Sequence, residues 1–124
     1  MTITEVSEKL NLSQDTLRYY ERIGLIPRVR RNKSGVRDYE EKDLAWAEFA
    51  KCMRSAGIPV ETLIDYVQMF LSGDATRAAR KELLIEQRDR LTENIKAMQS
   101  MLERLNHKIE NYDGTLQRAE QALQ

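Results

Sequence analysis

From Leu84 to the C-terminal end of the chain, apolar residues recur alternately four and three positions apart. Leu84, Leu91, Met98, Leu105, Tyr112 and Ala119 occupy one heptad position, and Arg88, Ile95, Leu102, Ile109, Leu116 and Leu123 the other. More than five heptads with one charged exception is the pattern of a coiled coil. A stripe of this length does not stay in water, so a partner helix is required. The exception indicates the partner's direction. In a parallel pair Arg88 faces its own copy across a partly desolvated seam. In an antiparallel homodimer Met98 faces Leu102, Ile95 faces Leu105, Leu91 faces Ile109, and Arg88 meets Tyr112, whose ring and hydroxyl suit a guanidinium. One helix over residues 74–112 would span about 58 Å, enough to hold two N-terminal heads well apart.

Composition supports an oligomer. The 124 residues are 32% charged and only 6% aromatic, which leaves little material for a large closed core in one chain. No apolar run approaches the roughly 20 residues of a membrane span. The start, MTITEVSEKL, lacks the basic and then apolar regions of a secretory signal. A cytoplasmic protein with no membrane partner is expected. Cys52 and His107, alone of their kinds, cannot build a four-ligand zinc site, an internal disulfide or a Cys₄ cluster. The expectation is therefore no metal, no cofactor and no enzyme.

The zero net charge hides a segregation. Arg18, Arg22, Arg28, Arg30, Arg31, Lys33 and Arg37 are opposed only by Glu21, and the next stretch is acidic, with Asp38, Glu40, Glu41, Asp43 and Glu48 against Lys42. Cations interleaved with Tyr19, Tyr20 and Tyr39 suit a phosphate backbone, since they displace counterions and hydrogen-bond phosphate oxygens. On charge alone, a solvated surface stretch accounts for them equally well.

Local patterns break the tie. Thr2 with Glu5 is a capping box, and Ile3, Val6 and Leu10 follow at helical spacing, which predicts a first helix over Ile3 to Leu10. Ser13 is a good N-cap for a second, carrying Leu17, Tyr20 and Ile23 and ending at Gly24. Two short helices around a tight polar turn, with the basic aromatic run on the second, form a helix-turn-helix. Arg28–Arg31 and Val36–Tyr39 flank the turn-rich Asn32-Lys33-Ser34-Gly35, predicting a small β-hairpin wing. A third helix presents Trp46, Phe49, Ala50 and Met53 and ends at Gly57. A fourth starts at Pro59, carries Leu63, Val67 and Phe70 or Leu71, and stops before Ser72-Gly73. Asp74 then caps the long helix, which Asp113-Gly114 bends or ends. The predicted domains are a winged helix-turn-helix over 1–73 and, over 74–124, a coiled-coil helix to about 112 with a short tail.

At this point the sequence is recognisable. The run TITEVSEKLNLSQDTLRYYERIGLIPRVRRNKSGVRDYEEKDL resembles the DNA-binding head of the MerR family of transcription regulators. Thr16-Leu17-Arg18-Tyr19-Tyr20-Glu21 with Ile23-Gly24-Leu25 matches its signature, Arg37 and Tyr39 ahead of Asp43-Leu44 continue the match, and Gly57-Ile58-Pro59-Val60-Glu61 matches the link between its third and fourth helices. The resemblance implies a mainly α, winged helix-turn-helix homodimer on a pseudo-palindromic promoter whose spacer is too long for RNA polymerase. Activation would come from bending and untwisting that spacer, at a cost of roughly 1–6 kcal/mol that an effector's coupling free energy can reach. Residue by residue, Gln14, Asp15, Thr16, Arg18, Tyr19 and Tyr20 would face the major groove, although the spacing of Tyr20 from Leu17 also suits the core. Arg30, Arg31, Arg37 and Tyr39 would sit on or near the wing and grasp phosphates.

The resemblance also sorts effectors. Metal-sensing and iron–sulfur members use cysteines in and after the long helix, and Gln68 to Gln124 contains none. A multidrug-binding domain has no room here. What remains is Cys52 on the third helix, placed as in the single-cysteine NmlR/AdhR type, which responds to aldehydes and other electrophiles. It lies at the edge of the apolar face. Lys51 and Arg54 favour its thiolate, while Glu48 and the helix C-terminus oppose it. An inert, packed thiol is the competing reading. Tyr66, Met69 and Phe70 are a second, weaker place for a noncovalent inducer. Two further functions stay open: a regulator with a noncovalent effector, and a coiled-coil adaptor without DNA function. A thiol enzyme lacks a base near Cys52, because His107 falls on the outer face of the coiled coil.

Overall fold

The computed structural model describes residues 1–112, Gly114 and residues 117–124. Its elements are α1 (Ile3–Leu10), α2 (Gln14–Ile23), α3 (Glu41–Ser55), α4 (Val60–Leu71), a single 3₁₀ turn (Asp74–Thr76), α5 (Arg77–Glu110) and α6 (Gln117–Ala122). The chain divides into two compact units, Met1–Gln87 and Arg88–Gln124.

In the first unit the caps act as the sequence implies. Thr2 Oγ1 accepts from the Glu5 amide at 3.1 Å, and the Glu5 carboxylate returns toward the Thr2 amide. Asn11 closes α1 in the left-handed region at φ 53°, a conformation that Asn tolerates because its short polar side chain bonds locally. Ser13 Oγ accepts from the Thr16 amide at 3.0 Å to open α2, and Gly24 ends it at φ 82°. The turn between the helices is cross-braced: Ser7 Oγ donates to the Leu12 carbonyl, and Lys51 Nζ on α3 donates to the Leu10 carbonyl.

Val6 and Leu10 of α1, Leu17 and Tyr20 of α2, and Ala47 and Ala50 of α3 meet in the core with Ile58 and Leu63. The loop after α2 supplies Leu25, Ile26 and Val29, all but fully buried. Each such aliphatic side chain contributes about 1.5–3 kcal/mol by leaving water. Trp46 and Phe49 on α3 pack in edge and stacked contacts with Tyr66 and Phe70 on α4, Trp46 and Phe70 having centroids 4.9 Å apart. Trp46 is thus a packing residue.

The expected wing is a minimal hairpin: among the described residues its ladder is a single antiparallel bridge, Arg31 to Arg37. Bonds from Asn32 N to Val36 O and Asp38 N to Arg30 O flank the bridge, and a segment this short and polar has nothing to bury that would extend it. Asp74 does not cap α5 but opens the 3₁₀ turn, in which Thr76 Oγ1 donates to the Met69 and Gly73 carbonyls. The first compact unit runs into α5 as far as Gln87, with Leu83, Leu84 and Ile85 partly buried and Gln87 buried.

In the second unit Ile95, Met98, Leu102, Leu105, Ile109 and Tyr112 are all exposed. The heptad stripe lies uncovered on the single chain. His107 is on the surface, as expected, with its carbonyl accepting from Asn111. The Glu120 carboxylate near Tyr112 holds that phenol above its usual range. Asp113 and Leu116, which figured in the expected end of the long helix and in the stripe, lie outside the described residues. Among the described residues no helix is long and apolar enough to cross a membrane.

Candidate nucleic-acid interface

The site is built on the outward face of α2. Leu17 and Tyr20 point into the core, so the intervening Arg18 and Tyr19 point out. Arg18 is steadied along its own helix by Asp15 at 2.9 Å and by the Gln14 carbonyl oxygen at 3.3 Å. The guanidinium of Arg22 lies over the exposed Tyr19 ring, 5.4 Å from its centroid, which fixes both side chains one turn apart. Gln14 reaches back to Thr4 Oγ1, and Thr16 shares the Ser13 hydroxyl, so both sit at the helix entrance rather than projecting freely.

Between α2 and the wing lies an open cleft of about 460 Å³ lined by Arg18, Arg22, Arg28, Arg31, Arg37 and a single acid, Glu21. Five guanidiniums around one concavity make a positive surface, and each can bond a phosphate bidentately. Arg22 and Arg28 were not singled out from the sequence. Their signal lay only in the basic block, which gives charge but not direction. Neither they nor Arg31 and Lys33 have an acidic partner among the described residues.

Other expected site residues fall elsewhere. Tyr20 and Tyr39, expected at DNA, are corrected to core residues: Tyr39 is 1% exposed and Tyr20 8%. A tyrosine presents the same spacing to either reading, and here the apolar ring wins. Burial raises both phenols above their ordinary value, with Arg54 partly offsetting it at Tyr20 and Arg37 partly offsetting it at Tyr39. Arg30 turns away from the cleft to Asp38 at 2.9 Å, and the Arg30 bond holds the Asp38 carboxyl below its usual range. Arg37 lines the cleft yet gives its Nε–H to Glu21. Cys52 is exposed and free on α3.

Comparisons with known proteins agree with this geometry. Residues 1–69 match the family described as MerR HTH family regulatory protein. The HTH-type transcriptional regulator AdhR of Bacillus subtilis is 53% identical over 93 residues, which are 75% of this chain and 66% of AdhR. A MerR family structure from Listeria monocytogenes superposes with a TM-score of 0.87 at 50% identity, covering 99% of this chain and 93% of that one. HiNmlR, a MerR family regulator lacking the sensor domain and solved bound to promoter DNA, gives 0.81 at 28% identity over 90% of this chain and 89% of its own. The chain belongs to the MerR family of helix-turn-helix regulatory proteins. It is a transcriptional regulator of that type, not an enzyme, and the reading as a coiled-coil adaptor is set aside.

Proposed function

We propose that this regulator binds the promoter of its target genes as an antiparallel homodimer and activates transcription in the cytoplasm by bending and untwisting the spacer for RNA polymerase. The observation that carries this reading is the arginine cleft beside the exposed face of α2, which offers phosphate contacts and groove contacts from one rigid head. Gln14, Asp15, Arg18 and Tyr19 serve the groove; Arg22, Arg28 and Arg31 serve the backbone. The dimer seam is Leu84, Arg88, Leu91, Ile95, Met98, Leu102, Leu105, Ile109 and Tyr112, whose exposure from Ile95 onward on the single chain supports a second copy as cover.

The effector in this reading is an aldehyde or related electrophile acting at Cys52, as part of a stress response. Support comes from the exposure of the thiol and from the similarity to AdhR. Addition of the sulfur to an aldehyde carbon forms a C–S bond while the carbonyl oxygen takes a proton, adding bulk and a hydroxyl on α3. The test is transcription in vitro from the promoter upstream of the protein's own gene, with wild type and Cys52→Ser, with and without a small aldehyde. Activation by aldehyde of wild type alone is the expected result. An identical response in both proteins removes Cys52 as sensor and favours a noncovalent effector.

A further inference from the structure

Glu21 is the one acid lining the arginine cleft, and both of its carboxylate oxygens are engaged. Oε1 accepts from Arg37 Nε at 2.5 Å, and Oε2 accepts from the Val29 amide at 3.0 Å. The Glu21 side chain is 10% exposed and that of Arg37 20%. Val29 lies on the outgoing limb of the wing, just ahead of Arg30 and Arg31, and Arg37 lies on the returning limb. One carboxylate therefore joins three segments: α2, the limb that leaves it and the limb that comes back. The bonds within the ribbon, the Arg31–Arg37 bridge and the flanking Asn32–Val36 and Asp38–Arg30 pairs, tie one limb to the other and not to α2, whereas Glu21 ties both limbs to the helix.

We propose that Glu21 is a positioning residue that sets the pose of the wing against α2, and with it the spacing between groove contacts from α2 and phosphate contacts from the wing. The proposal rests on the DNA-binding reading above. It explains why an acid occupies a surface that otherwise attracts a polyanion: within this cleft Glu21 opposes affinity as a charge and supports specific affinity as a clip. The two roles predict opposite signs on its removal. If Glu21 acts only through its charge, neutralising it tightens binding to every duplex. If it acts as the clip, losing it weakens binding to the correct site while nonspecific binding holds or tightens.

The experiment measures binding of wild type, Glu21→Gln and Glu21→Leu to a duplex from the promoter upstream of the protein's own gene and to a shuffled duplex of the same composition. Hydroxyl-radical footprints on the promoter duplex accompany it. For Glu21→Leu the expected result is a promoter affinity about tenfold weaker, loss of protection at the backbone outside the groove contacts, and shuffled-duplex binding unchanged or tighter. Glu21→Gln, whose amide oxygen still accepts from the Val29 N–H, falls between. Equal tightening on both duplexes with an unchanged footprint overturns the proposal. Should Glu21→Leu fail to fold, Glu21→Gln decides: a lowered promoter-to-shuffled ratio at an unchanged melting temperature supports the clip, and an unchanged or raised ratio overturns it. A wild-type protein that does not distinguish the duplexes overturns the DNA-binding reading itself, and the clip with it.

Discussion

Tyr39 shows how a single side chain can serve the fold against its own chemistry. Its ring is among the largest fully buried side chains of the head, yet its hydroxyl has no hydrogen-bond partner among the described residues. A buried hydroxyl left unbonded costs about 1–3 kcal/mol, so Tyr39→Phe is expected to melt at the same temperature as wild type or higher. The pH dependence follows from the same burial. The folded phenol titrates above its ordinary value, because desolvation disfavours the tyrosinate. Its contribution to stability is complete below the unfolded value and is lost as pH rises through the folded one. Chemical denaturation from neutral to strongly alkaline pH should therefore show a shallower loss in Tyr39→Phe than in wild type. An equal loss in both means that the buried phenol does not control alkaline unfolding.

At the scale of elements, α2 joins the core to the outward face. Leu17 is fully buried between the residues that face outward, so Leu17→Ala should cost about 2–5 kcal/mol in urea denaturation. A cost under about 1 kcal/mol contradicts its place in the core. The helices themselves were legible because their signals are local: Thr2 with Glu5, Ser13, Gly24 and Pro59 each act within one turn of the residue that shows them. The wing is legible as a turn between two short limbs, but its pose against α2 is not, because Glu21 and Arg37 meet from 16 positions apart. For the same reason the spacing of Tyr20 leaves groove and core both open, and the basic block gives Arg22 and Arg28 a charge without a direction. Spacing tells which residues share a face, whereas the neighbour across that face comes from distant parts of the chain. The Lys51 bond to the Leu10 carbonyl, which ties α3 to the helix-turn-helix turn, has no sequence signature at all.

For the whole molecule, the uncovered stripe on α5 supports the proposed second copy, and the proposed pairing of Arg88 with Tyr112 would give that copy its direction. The proposed antiparallel register would place Met98 beside the partner's Leu102 and separate like positions. In a Cys52→Ser background, Met98→Cys and Leu102→Cys variants should form a disulfide-linked dimer under mild oxidation when mixed and refolded together, and not when either is treated alone. Crosslinking of each variant to itself indicates a parallel dimer. The uncovered stripe is legible in the sequence because a heptad repeat is periodic, and periodicity survives without knowledge of any contact.

In the proposed mechanism this dimer works by reshaping DNA rather than by recruiting polymerase. The most direct measurement is transcription in vitro from the promoter upstream of the protein's own gene, compared with the same promoter after its spacer is shortened to the length that polymerase uses unaided. Strong stimulation by the protein on the natural spacer and none, or repression, on the shortened one is the expected outcome. Equal stimulation of both templates would contradict it.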